Sequence, residues 1–429
     1  MATNRRQFIS TAVTGSIAAT LPLSSYSQSE PGHSSTNQMD RYKKLDQILK
    51  QPVFRKEWFT SPVFIETVEL LRYENDFLCR VRSTDGAIGI SVGHSFQLES
   101  LYPIFTNLVK PFFINKDARD LDLIMERVYI YKLNFRLSGL ALGAPLATLE
   151  LAVLDMMGRI AGKPIGQLIG EIHHPEIEVY QATEYRDKPV EESMELITRD
   201  VNRNNAKALK IKVGGLMFET EDLHAKAPPG RTETMIPLVR KTFGDNMVLY
   251  ADSNGFYSVE EAIRVGRLLE EYNYQFFEEP VSFNWYEETK QVADALSIPI
   301  AGGEQEFSLH GFRWLIANDG LQIVQPDIYY FGGMIRAMKV ALMAKAFGKS
   351  WTPHMSGGDL GFLYMMHFAS ALPNSMPHHE FKGFNTHVVF ECKTSPLQSD
   401  KGVVKVPTGP GSGVDIDPDY IQKFHAVNG

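Results

Sequence analysis

The chain has 429 residues, which is enough for two domains or for one large domain with an accessory one. Its 44% hydrophobic and 22% charged residues are typical of an ordinary globular protein. A net charge of −8 and the lack of a basic run argue against nucleic acid as a partner. Two cysteines, Cys79 and Cys392, are too few for a disulfide framework, and free thiols are favoured over a single bridge.

The N-terminus predicts an export signal. The paired Arg5 and Arg6 precede a short apolar stretch from Thr11 to Leu23 and a small-x-small site. This pattern is typical of a twin-arginine signal peptide over residues 1–27, so we expect a periplasmic protein with no membrane anchor after processing. The alternative is a basic amphipathic helix. Residues 28–40 lack a hydrophobic pattern and are predicted to be a disordered linker.

Residues 41–170 predict an α+β accessory domain. Three strand patterns, Val63–Tyr73, Phe77–Arg82 and Ala87–Val92, are followed by segments with helical spacing. The last of these, Ala144–Ala161, is apolar nearly all round and predicts a buried helix. Strands followed by helices indicate a unit separate from what comes next.

Residues 171–385 alternate short apolar strands with helical patterns. The eight predicted strands, each but the last followed by a helix, are Ile177–Gln181, Ala208–Val213, Met247–Ala251, Gln275–Glu278, Pro299–Gly302, Ile323–Gln325, Ser350–Pro353 and Met376–Glu380. Eight such units favour a closed TIM-like (β/α)7β barrel. A doubly wound open sheet is the alternative, although no Gly-rich phosphate loop follows the first strand. Residues 386–429 are predicted to fold back on the accessory domain.

Three successive strands of this barrel end in an acid. Asp252, Glu278 and Glu304 follow apolar runs, and 26 residues separate each from the next. Taken singly, such acids are often helix caps or solvated loop residues. In register they bring three hard oxygen ligands to one end of a barrel, which predicts a divalent-metal site for Mg²⁺.

The remaining strand ends add groups suited to proton transfer. Lys210 and Lys212 lie two residues apart on the second strand and share its inward face, which calls for negative charge opposite them. Asp327 and His354 end the sixth and seventh strands, where the carboxylate can orient the imidazole. Glu380 ends the eighth.

These strand ends exclude one chemistry and favour another. No Ser or Cys occupies a strand end, so a nucleophilic triad does not fit. The residues suit proton abstraction next to a carboxylate, in which a metal and Lys210 neutralise the charge that develops on the substrate.

The motifs LKIKVG, ADSNG, FFEEP, GGE, QPD and TPH, in this order, resemble those of the enolase superfamily, in its mandelate racemase and acid-sugar dehydratase branch. The resemblance covers about Val63 to Glu380. It implies Mg²⁺ on the three carboxylates, Lys212 as the base on one face, and Lys210 as the cation beside the substrate carboxylate. It further implies that His354, oriented by Asp327, is the acid or base on the other face, and that Glu380 bonds the substrate carboxylate.

The resemblance implies a Mg-dependent enzyme that forms an enediolate from a small carboxylate. Dehydration of an aldonic or aldaric acid to a 2-keto-3-deoxy acid is favoured. The alternatives are a racemase, epimerase or cycloisomerase and, more remotely, a periplasmic sugar-acid binding protein. The family also implies a homo-oligomer. The 216–231 insertion is longer than usual, and we expect a lid or a subunit contact there.

Substrate choice is expected from the accessory domain and from the barrel loops. The resemblance implies that the accessory domain caps the barrel mouth, with His94 and Phe96 near the substrate. Other residues whose positions suit reading of the substrate are Glu184, Tyr185, Arg186, Trp285, Tyr329 and Tyr330.

Overall fold

A computed structural model of the protein describes residues 34–215, 230–357, 360–372, 374–383 and 387–427. The predicted signal peptide and residues 216–229 of the predicted insertion lie outside the described residues. The first element of the described chain is helix α1, Ser34–Leu49.

The accessory domain is an antiparallel sheet covered by helices, as predicted. Strands β1, β2 and β3 pair in chain order, and Gly86 takes a φ of 86° in the tight turn between β2 and β3. The strands are Ile65–Tyr73, Asp76–Ser83 and Ile88–Val92. The helices α2 to α6 are Ser95–Ile104, Lys110–Phe113, Leu121–Arg127, Leu140–Ala161 and Ile165–Ile169. By length and composition α5 could cross a membrane, but it is almost entirely buried inside the protein.

The second part of the described chain is a barrel of eight parallel strands. Strands β4 to β11 are Glu176–Ala182, Ala208–Lys212, Val248–Asp252, Phe277–Glu278, Ile300–Gly302, Ile323–Val324, Ser350–Trp351 and His378–Phe381. The intervening helices α7 to α13 are Val190–Asn204, Arg231–Phe243, Val259–Glu271, Tyr286–Ala295, Leu309–Ala317, Met334–Ala346 and Gly361–Ser370.

The sheet closes on itself, which confirms the barrel against an open sheet. Strand β11 pairs with β4 in parallel, so the eighth strand lies beside the first. On its other side the chain is joined to β10, because Met376 N donates to Trp351 O at 2.9 Å and Ser375 bridges Trp351.

Aromatic side chains fill the barrel below its C-terminal end. Tyr250 and Phe276 lie two residues before Asp252 and Glu278, so each pair shares the inward face of its strand. Their rings stack with centroids 4.1 Å apart, and Tyr180 packs on Tyr250. These rings therefore form a floor beneath the charged groups of the barrel mouth.

The C-terminal segment contacts both the accessory domain, called the cap from here on, and the barrel. It contains β12 to β15 and a short helix α14, and β15 extends the cap sheet by pairing with β1. Strand β13 runs antiparallel to β4 of the barrel. The strands are Phe390–Glu391, Val403–Lys405, Asp415–Ile416 and His425–Ala426, and α14 is Pro418–Ile421.

The prediction of a disordered linker up to residue 40 is wrong for residues 34–40, which form the start of α1. This end of the helix is held by polar contacts with the barrel, which do not require apolar residues at helical spacing. Arg41 donates to both oxygens of Asp319 at 2.9 Å, and Gln38 donates to Asn318 at 2.8 Å. The apolar anchor comes later, at the fully buried Leu45.

One buried carboxylate joins the cap to the barrel. Glu150 of α5 accepts hydrogen bonds from the backbone N–H groups of Met334 at 2.5 Å and Ile335 at 3.2 Å, at the start of α12. Gly333 precedes them with a φ of 118°, and a Cβ there would lie 2.1 Å from Glu150. Burial raises the pKa of Glu150 to about 8.

This raised pKa predicts a pH dependence of stability. Between the ordinary pKa of 4.5 and the folded value of about 8, the folded state binds more protons than the unfolded state, so stability falls as pH rises. Glu150→Gln cannot ionise. We expect its free energy of unfolding, measured by urea denaturation, to fall less steeply than that of the wild type from about pH 5 to pH 8. The exposed Glu271→Gln should keep the wild-type slope. Equal slopes for all three proteins would contradict the prediction.

Candidate active site

The three predicted metal ligands meet at the barrel mouth. One oxygen each from Asp252, Glu278 and Glu304 lies within 4.8 Å of the others, and all three residues are buried. Strand pairing brings them together, because Lys212, Asp252 and Glu278 are register partners on β5, β6 and β7. Oε2 of Glu304 is buried and accepts no hydrogen bond from the described chain. Three clustered hard oxygen donors, together with a buried carboxylate oxygen that lacks a hydrogen bond, fit Mg²⁺.

Two lysines neutralise part of this negative charge. Nζ of Lys210, only 1% exposed, lies 2.9 and 2.8 Å from the two oxygens of Glu278 and 3.6 Å from Asp252. Lys212 donates to Asp252 and, at 2.9 Å, to Oδ1 of Asn254. Both amines therefore face the mouth, as the alternation along β5 predicts.

The carboxylates respond differently to this surrounding charge. Burial would raise the pKa of Asp252, but Lys212 and Lys210 outweigh it and hold that pKa well below its usual range. For Glu278, burial and the charge of Asp252 dominate, and its pKa is raised despite Lys210. Burial would lower the pKa of Lys212, but Asp252 raises it above its usual range. The raised pKa of Glu278 therefore means that the lysines do not fully offset the repulsion among the carboxylates.

His354 and Asp327 form the predicted pair. Nδ1 of His354 donates to Oδ2 of Asp327 at 2.8 Å, and this leaves Nε2 facing the mouth, 3.5 Å from Glu304. Asp327 is itself fixed by the backbone N–H groups of Ser356 and Tyr330, each at 2.8 Å. Burial would lower the pKa of His354, but Glu304 and the other carboxylates raise it to about 10.

Glu380 lies at the mouth as well. Its Oε2 is 3.7 Å from Nε2 of His354 and accepts no hydrogen bond from the described residues. Burial would raise its pKa, but Lys210 and Lys382 outweigh it and lower the pKa well below its usual range. Nζ of Lys382 is 3.7 Å from Glu380 and 2.9 Å from Glu184.

Lys212 and His354 approach the site from different sides. Between their strands lie β11 and β4 on one side of the barrel and β6 to β9 on the other. A substrate held above the carboxylates would therefore meet the amine and the imidazole on separate faces.

The sequence left three mouth residues without a role. Asn254 donates to Oε1 of Glu304 at 3.3 Å, Gln325 donates to Glu278 at 3.0 Å, and Lys382 pairs as described above. Each lies two residues from a predicted site residue: Asn254 after Asp252, Gln325 before Asp327, and Lys382 after Glu380. Extending the two-residue alternation would have identified them.

The cap approaches the mouth beside His354. The ring of His94 stacks on Tyr330, with centroids 5.7 Å apart, and Tyr330 lies 6.3 Å from His354. The Tyr329 hydroxyl donates to the carbonyl of Val92 and so ties the cap to the barrel.

The other predicted substrate readers are placed less centrally. Phe96 is 82% exposed and Trp285 46% exposed. The hydroxyl of Tyr185 donates to Asp200 on α7 rather than to a group of the carboxylate cluster.

Comparison with known proteins agrees with this arrangement. Residues 192–420, more than half of the chain, match the family model described as enolase C-terminal domain-like. The chain therefore belongs to the enolase superfamily, as the motifs predict.

Curated relatives and solved structures cover most of the chain. It is 25% identical over 346 residues to arabinonate dehydratase from Saccharolobus solfataricus, which covers 80% of this chain and 89% of that protein. It is 28% identical over 324 residues to D-galactarolactone cycloisomerase from Agrobacterium fabrum, covering 72% and 81%. A mandelate racemase/muconate lactonizing protein from Paracoccus denitrificans, complexed with magnesium, superposes with a TM-score of 0.74 at 26% identity, covering 85% and 99%.

The carboxylate cluster predicts Mg²⁺ binding that can be measured without substrate. A ligand that binds only the folded state raises its melting temperature, so Mg²⁺ should stabilise the wild type. Groups that merely orient a ligand contribute about 10- to 100-fold to metal affinity, so we expect Glu304→Gln to weaken Mg²⁺ binding by more than about tenfold in calorimetry.

A matched control lies two residues further along the chain. Glu306 is also buried, but its carboxylate bonds to Tyr286 and to the backbone N–H of Ser308, outside the cluster. Glu306→Gln should keep the wild-type Mg²⁺ affinity. Equal losses in both variants would show that the effect is not specific to the cluster.

Proposed function

We propose that the protein is a Mg-dependent hydro-lyase that dehydrates an aldonic or aldaric acid to a 2-keto-3-deoxy acid. The observation that carries the proposal is the placement of Lys212 and His354 on separate sides of one mouth, above the carboxylate cluster. A base on each side suits removal of a proton from the carbon next to a carboxylate. The arabinonate dehydratase relative supports this reaction class.

The other mouth residues hold the substrate in this proposal. Asp252, Glu278 and Glu304 would hold Mg²⁺, which when bound supplies positive charge to the substrate carboxylate and so acidifies the α-proton. Lys210, a buried ammonium between Glu278 and Asp252, adds a second positive charge there. Glu380 has a free Oε2 with which to orient the substrate.

The reaction balances with these residues alone as acids and bases. Lys212 or His354 takes the α-proton, and the electrons of the C–H bond form a carbon–carbon double bond as the bond to the 3-hydroxyl breaks. His354, held by Asp327, gives a proton to the departing hydroxyl, which leaves as water. The resulting enol then gains a proton at C3 and loses the proton of its 2-hydroxyl, which gives the 2-keto-3-deoxy acid.

An isomerase is the second candidate. The same two faces allow a proton to be taken from one side and returned from the other, with no leaving group. The D-galactarolactone cycloisomerase relative supports this alternative. The two reactions differ in product, because the lyase releases water whereas the product of an isomerase has the same composition as its substrate.

The proposal predicts loss of proton transfer on substitution of either base. With Mg²⁺ and a panel of aldonates and aldarates in D₂O, the wild type should exchange the α-proton and form a 2-keto acid, detected with semicarbazide. Since acid–base groups contribute about 10²- to 10⁴-fold, Lys212→Ala and His354→Asn should each slow dehydration by that factor.

Matched controls exist on the outer helices. Lys290 on α10 pairs with Asp294, and His310 on α11 is exposed. Lys290→Ala and His310→Asn should keep the wild-type rate. Exchange without a 2-keto product would assign the isomerase instead. Stabilisation by a sugar acid without any exchange would contradict both enzymes and favour a binding protein.

A further inference from the structure

A buried arginine lies close to the site without a role in the proposed chemistry. Arg186 is on the turn after β4 and is 4% exposed. A guanidinium keeps its charge at every relevant pH, and a buried charge is costly unless it is well bonded. Its bonds therefore indicate what it does.

Arg186 links the turns that follow three successive strands. Its Nη1 donates to the carbonyl of Gly215, after β5, at 3.0 Å. Its Nη2 donates to Oδ1 of Asn254, after β6, at 2.6 Å. The planar fork of an arginine fixes both acceptors relative to each other, which a single point charge does not do.

Asn254 is the point at which this link reaches the catalytic groups. The same Oδ1 accepts from Nζ of Lys212 at 2.9 Å, and Nδ2 donates to Glu304 at 3.3 Å. The backbone N–H of Asn254 donates to Oδ1 of Asp252 at 2.8 Å. Asn254 thus contacts the proposed base and two of the proposed metal ligands, the first and Glu304 through its side-chain amide and Asp252 through its backbone N–H.

Of the two cations that donate to the Asn254 side chain, Arg186 is held more rigidly than Lys212. A lysine ammonium group is carried on a flexible four-carbon chain, so the bond from Lys212 does not by itself fix the position of Asn254 Oδ1. Arg186 is better fixed because its turn is held by a second buried arginine. Arg231 donates to the carbonyls of Tyr185 at 2.7 Å and Lys188 at 3.1 Å, on either side of Arg186.

We propose that Arg186 is a positioning residue that holds the Asn254 amide and through it sets the place of Lys212 Nζ in the mouth. This inference rests on the proposed function in that Lys212 is taken as a base. Arg186 does not itself act on the substrate. Its loss should therefore lower kcat and leave KM almost unchanged.

The kinetic test uses the full-length mature protein with Mg²⁺ and whichever panel aldonate or aldarate the wild type exchanges fastest. Since misplacement by about 1 Å can cost about 10²-fold, Arg186→Ala should lower kcat for α-deuterium exchange by about that factor. Guanidinium chloride at non-denaturing concentration should restore part of the rate, and sodium chloride at equal concentration should not. An unchanged kcat, or a loss seen only in KM, would overturn the inference.

Arg240 is a matched structural arginine. It bonds only to backbone carbonyls in the described chain, those of Tyr272, Asn273, Met247 and Gly244, and contacts no mouth residue. Arg240→Ala should destabilise the fold, keep the kcat of the folded protein, and show no rescue by guanidinium. Equal behaviour of the two variants would mean that Arg186 is merely structural.

A crystal structure of Arg186→Ala tests the inference independently of activity. The distance from Lys212 Nζ to Asn254 Oδ1 should lengthen beyond hydrogen-bonding range, and an unchanged pair would overturn the proposal. If the wild type exchanges no carboxylate, the proposed function fails while this distance still decides the positioning role. If Arg186→Ala does not fold, Arg186→Lys replaces it in both tests. A lysine reaches only one of the two acceptors, so an intermediate kcat supports the proposal and a wild-type kcat with unchanged geometry contradicts it.

Discussion

The arrangement of charged groups at the barrel mouth is governed by the mutual repulsion of three buried carboxylates. Asp252, Glu278 and Glu304 converge within 4.8 Å, in surroundings where water screens their charges poorly. Such a cluster is stable only if positive charge is brought to it. Lys210 and Lys212 supply part of that charge from the neighbouring strand, and a divalent cation would supply the rest. The same need explains why two amines point into the interior of a barrel.

The carboxylates at the mouth also act on His354. Its pKa is raised to about 10 against the effect of burial, mainly by Glu304 and then by Glu380 and Asp327. Asp327 also fixes the ring, because it bonds to Nδ1 and is itself held by two backbone N–H groups. The orientation of the imidazole thus comes from Asp327, whereas its raised pKa comes from Glu304, Glu380 and Asp327 together. Asp327, which sets the ring direction, follows β9. Glu304, the carboxylate with the largest effect on the pKa, belongs to the carboxylate cluster.

The fold and the central site were predictable because both follow from strict periodicities. Eight alternating units predict the barrel, and the inward alternation along β5 places Lys210 and Lys212 together. The helix at residues 34–40 was missed, because it depends on contacts with distant residues such as Asp319. For Arg186 the sequence predicts only a position suited to reading the substrate. Its bond to Asn254 spans 68 residues between separate loops, and no local pattern encodes such a contact.

This difference separates the groups at the strand ends from the groups that surround them. Groups at strand ends are fixed by sheet register, so their positions follow from the sequence once the strands are known. Groups that surround them come from turns and from the cap, which are held by contacts between residues far apart in the chain. Two such contacts connect the cap to the barrel. The backbone N–H of Met334 at the start of α12 donates to Glu150 of α5, and the hydroxyl of Tyr329 donates to the carbonyl of Val92. The position of the cap can therefore change through these connections while the strand-end residues stay in place, because the two sets are held by different parts of the fold.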